Sequence, residues 1–185
     1  MRLNDLLVTT YEYKGEEIPI DLSFDNVLDV LDVMSVKGLY EFQLAEMCLA
    51  LLFGEDVIDI EDCFIVWNDV YDKFLNPEKD EYIEYDLKGN PMPKKKEKKL
   101  IDLEEDAEYI YASFVQAYNI NLFEQQTKMH WFEFKSLLNG LPENTIMKQI
   151  MQIRRWEPSK GESEEYKKAM REMQEIYSLE NDVED

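Results

Sequence analysis

Basic residues are scarce in this chain. Twenty Lys and Arg stand against 41 Asp and Glu in 185 residues, a formal net charge of −21 at pH 7. Gripping phosphates needs clustered Lys and Arg, so this balance argues against naked nucleic acid as a partner, and equally against an anionic membrane surface. Cysteine is almost absent. Cys48 and Cys63 both sit in apolar helical patterns and read as buried free thiols in a reducing cytoplasm, not as a disulfide or a metal pair. With six glycines there is no G-x-G-x-x-G and no G-x-x-x-x-G-K-[ST], hence no phosphate-cradling loop. A single histidine, His130, gives no zinc-ligand spacing. The longest apolar run, near Cys48 to Phe53, is far too short to span a bilayer, and the start MRLNDLLVTTYEY lacks the apolar core of a signal peptide. These absences predict a cytoplasmic protein that is not an enzyme and carries no cofactor or metal.

What is present is apolar bulk in a helical period. Hydrophobic residues make up 45% and aromatics 12%, too much for wholesale disorder. A chain of this length buries roughly 70% of its unfolded surface and needs no staple. The prediction is a mainly α fold, a bundle of about seven helices with a small N-terminal β-hairpin. Residues 6–21 place Val8, Tyr11 and Tyr13 opposite Ile18 and Ile20 around Lys14-Gly15, a turn where Gly is free to take positive φ. Pro19 confines the second strand to an edge. Ser23 caps a helix with Val27, Leu28, Leu31 and Met34 inward and Asp25, Asp29 and Asp32 outward. A second helix, about Leu39 to Phe53, is apolar almost all round, a pattern that reads as burial between neighbours, and Gly54 ends it. A third, about Asp59 to Leu75, aligns Ile60, Phe64, Trp67, Tyr71 and Phe74.

The density of large aromatics peaks later. From Asp102 the stretch DLEEDAEYIYASFVQAYNI carries Ala107, Ile110, Tyr111, Phe114, Val115 and Tyr118 on one wide stripe, with acids in its first turn. Three more helices follow: about Gln126 to Leu138, with Trp131, Phe134 and Leu138 on one face; one through Ile146, Met147, Ile150, Met151 and Ile153 to Trp156; and one from Ser163 with a Tyr166, Ala169, Met170, Met173, Ile176, Tyr177 stripe. The terminal LENDVED reads as frayed. Residues 1–87 thus hold the hairpin and three helices. Residues 88–99, with six Lys and one Glu, read as an exposed Lys/Pro-rich loop. Residues 100–185 form a C-terminal helical region that either shares the first core or builds its own.

Few residues carry chemistry. His130 as a base or ligand competes with an interior aromatic position beside Trp131, and the second reading is preferred because no Ser or Cys stands in a nucleophile motif. Glu104, Glu105 and Asp106 resemble a cation or acid–base cluster, but a helix first turn explains them more simply. The Asp25, Asp29, Asp32 stripe reads as a solvated helix face before it reads as a docking surface for a basic partner. Arg154 and Arg155, the only adjacent arginines, are placed to bridge carboxylates. The pairs Met147/Met151 and Met170/Met173 suit adaptable faces, with core packing the plainer reading.

The blocks DAEYIYASFVQAYNINL, HWFEFKSLLNGLPENT, IRRWEP and EYKKAMREMQEIYSL resemble the tailed-phage family named after gene product fifteen of a siphophage infecting Gram-positive hosts. The N-terminal YEYKGEEIPID with a Phe-led helix is similar too, and the likeness is weakest over Asp56 to Leu100. Phe132 stands where the usual form of the second block has another tryptophan. The residues in these motifs proposed for interaction are Tyr109, Tyr111, His130, Trp131, Phe132, Arg154, Arg155, Trp156, Met170 and Met173. The resemblance implies a non-enzymatic tail assembly protein in the host cell cytoplasm, a chaperone for the tape measure or tail tube protein, with a homo-oligomer left open. A structural or tail-completion component of the virion is the alternative. So is an acidic inhibitor or DNA mimic aimed at a host protein, although the acids are spread over helix faces without phosphate-like regularity.

Overall fold

The computed structural model describes residues 4–76 and 99–179. The Lys/Pro-rich loop up to Lys98 and the acidic tail after Leu179 lie outside the described residues. The fold is mainly α: among the described residues there are seven α-helices and one two-stranded antiparallel hairpin. The chain divides into two compact units. The first comprises Met1–Lys95 and Gln126–Phe132, the second Lys96–Gln125 and Glu133–Asp185.

The hairpin, β1 (Thr10–Tyr13) and β2 (Glu16–Pro19), turns at Lys14 and Gly15, with φ of 52° and 83°. Two consecutive positive φ values give the turn whose twist matches paired strands. Its tip is tied down by charge. The Lys14 ammonium pairs with Asp59 and lies 2.9 Å from Asp62, while the Tyr13 hydroxyl donates to Asp62 at 2.7 Å and accepts the Asp59 N–H at 3.2 Å. Further along, the Tyr11 hydroxyl donates to Asp69 at 2.7 Å and its ring meets Phe53 edge-on, with centroids 5.6 Å apart.

Helix α1 (Phe24–Ser35) buries Phe24, Val27 and Val30. Ser23 does occupy its N-cap, but the hydroxyl makes no cap bond and is a buried oxygen without a hydrogen-bond partner. The backbone there is engaged instead in an antiparallel bridge to His130. Helix α2 (Glu41–Phe53) packs Ala45, Cys48, Leu49, Leu52 and Phe53 inward and ends at Gly54, where φ is 94°. The apolar pattern predicts burial between neighbours, and α2 does pack between two helices, but not every apolar side chain on it is buried. Phe42, Met47 and Leu51 are exposed. Helix α2 packs against α1 and α3 (Cys63–Val70), and among the described residues no other helix covers these exposed side chains.

Helix α3 begins at Cys63, not near Asp59, because Asp59–Asp62 form a turn held by the hairpin tip. Its buried face is therefore Cys63, Val66, Trp67 and Val70, and the predicted members Ile60 and Phe64 are 61% and 48% exposed. The helix loosens into one π turn, Tyr71–Leu75, closed by the Asn76 N–H on the Tyr71 carbonyl at 2.7 Å.

In the second unit, α4 (Ala107–Tyr118) starts later than the acidic run predicts. Asp102 accepts the N–H groups of Glu104 and Glu105, both at 2.9 Å, and so fixes a turn ahead of the helix. Ile110, Ser113 and Phe114 are buried, whereas Val115 is 41% exposed and falls off the predicted stripe. After the 3₁₀ turn Leu122–Glu124 come α5 (Trp131–Asn139), which belongs to this unit from Glu133 onward, α6 (Ile146–Arg155) and α7 (Glu164–Ile176). Phe114 stacks on Phe134 at 5.4 Å. The Ser113 hydroxyl oxygen accepts the Met147 N–H at 3.1 Å, a cap delivered to α6 by a neighbouring helix rather than by its own N-cap Thr145.

Candidate interaction surfaces

His130 sits where the chain enters α5. The helix does not start near Gln126 because residues before it are bonded elsewhere. Thr127, with φ of 60°, donates its N–H to Asp25 at 2.8 Å; the Phe24 N–H reaches the Met129 carbonyl at 2.9 Å; the Trp131 N–H reaches the Leu22 carbonyl at 2.7 Å. His130 is half-buried, not interior. Its Nδ1 accepts the Phe132 N–H at 3.0 Å, which makes the imidazole the N-terminal cap of α5. Nε2 must then carry the proton, and it donates to the Val8 carbonyl at 3.1 Å. Both ring nitrogens are thus committed to backbone groups of the first unit. Trp131 is buried beside it and Phe132 is exposed.

The second unit turns on Arg154. Its guanidinium makes a bidentate pair with Asp106 at 2.6 and 2.8 Å and donates to the carbonyls of Leu100 at 3.0 Å and Tyr177 at 2.7 Å. Asp106 is 1% exposed and Arg154 7%. Asp106 also accepts the Asp102 N–H at 2.9 Å. The acidic run is therefore not an open cation cluster, since its deepest member is already neutralised. Arg155, the other arginine of the motif, is exposed.

Trp156 and Tyr166 meet edge-on at 6.2 Å, and Tyr109 meets Tyr177 at 6.0 Å. Gln174 caps α6 by donating to the carbonyls of Ile153 at 2.8 Å and Trp156 at 2.9 Å. Tyr111 packs on Phe123, centroids 5.1 Å apart. On α7 no residue is fully buried; Met170 is half-buried, while Met173 and Ile176 are 43% and 74% exposed. The predicted motif residues thus fall into separate places. Tyr109, Arg154, Trp156 and Met170 belong to the second unit's helix packing, and His130 and Trp131 to the stitching of the first.

One surface escaped the motif reading. Between α2 and the loop that follows it lies an open crevice of about 530 Å³, bordered by Glu46, Met47, Ala50, Ile58, Ile60 and Cys63. Met47 is 44% exposed. A signal for it existed in the sequence: a helix apolar on more sides than a small unit can cover. Cys63 is buried at the crevice floor. Desolvation, with Glu46, Asp62 and Asp59 nearby, raises its thiol pKa and keeps it protonated. Among the described residues no group of three or more His, Cys, Asp and Glu has metal-site geometry, and no helix is long and apolar enough to cross a membrane.

The family model described as Bacteriophage Gp15 protein matches residues 3–179. No curated protein and no solved structure matches the chain.

Proposed function

Since this chain belongs to the bacteriophage Gp15 protein family, we propose that it is a non-catalytic tail assembly protein, a chaperone that holds the tape measure or tail tube protein in the host cytoplasm until the tail is built. The observation that carries the reading is the family match across nearly the whole chain. It supports, at the coarser level, a phage structural or head–tail connector-type protein. Two physical features favour the holding role over a permanent structural one. The surface combines a net charge of −21 with large exposed apolar side chains on α2 and α7, so it presents adhesive patches while remaining strongly charged. Both ring nitrogens of His130 are spent on backbone groups, and the buried member of the acidic run, Asp106, is spent on Arg154.

The test is co-expression of the chain with the tape measure and tube proteins of its own gene cluster, with mass spectrometry of purified virions alongside. Capture of either client, with the chain missing from virions, is the expected result. Presence in virions would replace the chaperone with a structural tail component, and capture of neither client would overturn the proposal.

A further inference from the structure

We infer that the crevice beside α2 is the docking site for a basic amphipathic helix, one with an apolar stripe flanked by Lys and Arg. This rests on the chaperone reading and names where the client is held. The crevice offers two kinds of recognition at once. Met47 and Ile60 project as large exposed apolar anchors from its two sides, one on α2 and one on the loop. Glu46, Glu55, Asp56 and Asp59 stand around them, and among the described residues no Lys, Arg or His borders the crevice. Asp59 is already paired with Lys14, so Glu46, Glu55 and Asp56 supply the outward negative charge.

The loop is shaped, not slack. Gly54 and Asp56 both take left-handed φ, 94° and 58°, and the hairpin tip clamps Asp59 and Asp62. A preformed trough that sets apolar anchors among acids, in a lining of mixed polarity, accepts side chains at i, i+3, i+4 and i+7 of a helix, with cations reaching the acids. Among the described residues no strand edge borders the crevice, which leaves a helix and not an added strand as the occupant.

Charge separates this occupant from two others. A second copy of this acidic chain meeting the crevice face to face would set like charges together. The chain's own Lys88–Lys99 run has the right sign, but Met92 is its only large apolar residue, so it cannot supply a stripe.

The experiment uses the full chain. Wild type, Met47→Asp/Ile60→Asp, and Glu46→Lys/Glu55→Lys/Asp56→Asn are each co-expressed with the tape measure protein, with far-UV circular dichroism to verify folding; Asn at position 56 tolerates the left-handed backbone. Captured complexes are treated with a carbodiimide that joins carboxylates to lysines in direct contact, and the links are mapped by mass spectrometry. The expected result is capture by wild type, with Glu46, Glu55 or Asp56 linked to tape measure lysines, and affinity about tenfold or more weaker in either folded variant, as loss of buried apolar anchors or of the rim dictates. Equal capture by wild type and both variants would overturn the crevice and leave the chaperone reading standing. Links from these acids to Lys94–Lys98 of the same chain, or to a second copy, would overturn it in favour of those occupants. No capture by wild type would remove the chaperone reading, and the crevice assignment with it.

Discussion

Arg154→Met is the substitution with the largest expected effect. The methionine keeps most of the apolar stem and removes the guanidinium, leaving the Asp106 carboxylate at 1% exposure without its bidentate partner. Removing one member of a buried pair costs about 3–5 kcal/mol, chiefly from the uncompensated charge left behind. The carbonyls of Leu100 and Tyr177 lose a donor as well. For a chain of this size each kcal/mol lowers Tm by roughly 2–4 °C, so a drop on the order of 10 °C is expected in thermal unfolding followed by far-UV circular dichroism. Arg155→Met, one residue on and exposed, is the internal control and should stay within about 0.5 kcal/mol of wild type. Arg154→Lys should fall between, because a single ammonium cannot reproduce a planar fork that bonds Asp106 twice and two carbonyls besides. The pair Asp106→Leu/Arg154→Leu should recover much of the loss, since no lone charge remains. Equal Tm values for Arg154→Met and Arg155→Met would refute the reasoning, as would a double variant as unstable as the sum of its parts.

Four further outcomes follow from the geometry. His130→Ala should cost about 1 kcal/mol in urea unfolding through loss of the α5 cap, and His130→Asn, a good capping residue, should restore part of it. Asp102 is partly desolvated, which alone would raise its pKa, but Lys99 and the N–H groups of Glu105 and Glu104 together hold it below the ordinary 3.8. A depressed folded value means its stabilisation is present above pH 3.8 and lost as pH falls through that lower value, so Asp102→Asn should flatten that part of a Tm-against-pH curve. Burial pushes the Cys48 thiol up to about 12, and it should stay silent to a thiol reagent at mildly alkaline pH until the chain is unfolded. Ser113→Ala should cost about 1–3 kcal/mol by orphaning the buried Met147 N–H, with Ser113→Thr the variant to compare in denaturant titration.

The helices were legible in the sequence where burial follows the 3.6 period: Ile110 and Phe114 on α4, Trp131 and Phe134 on α5, and Met147 and Ile150 on α6 are the predicted apolar positions and are buried. The hairpin was legible because Lys14-Gly15 is a turn that few other pairings allow. Errors cluster at helix starts. Asp59–Asp62, Asp102–Asp106 and Gln126–His130 all continue a helical pattern, yet each is held in a turn or bridge by a partner distant in sequence or by a side chain that bonds backward. Local periodicity carries no information about those partners. The crevice was missed for a related reason. A helix apolar all round looks alike whether its last face meets a neighbour or meets water, and only the packing of α1 and α3 shows which side of α2 is left over. The role of Arg154 was half legible: its type and acidic surroundings predicted a carboxylate partner, but nothing local named Asp106 or the two carbonyls.

The stitching of Gln126–Phe132 onto Leu22–Phe24 also sets an order of events on the ribosome. The first unit is not finished when residue 76 has been made; it needs the seven-residue strip whose codons come after those of α4. At about 5–20 residues per second, some 3–10 s separate the two. During that interval the nascent chain holds the Leu22 carbonyl and the Phe24 N–H open, and the second unit's opening segment emerges before the first has closed. A gene cut anywhere between the two stretches would therefore yield an incomplete first unit.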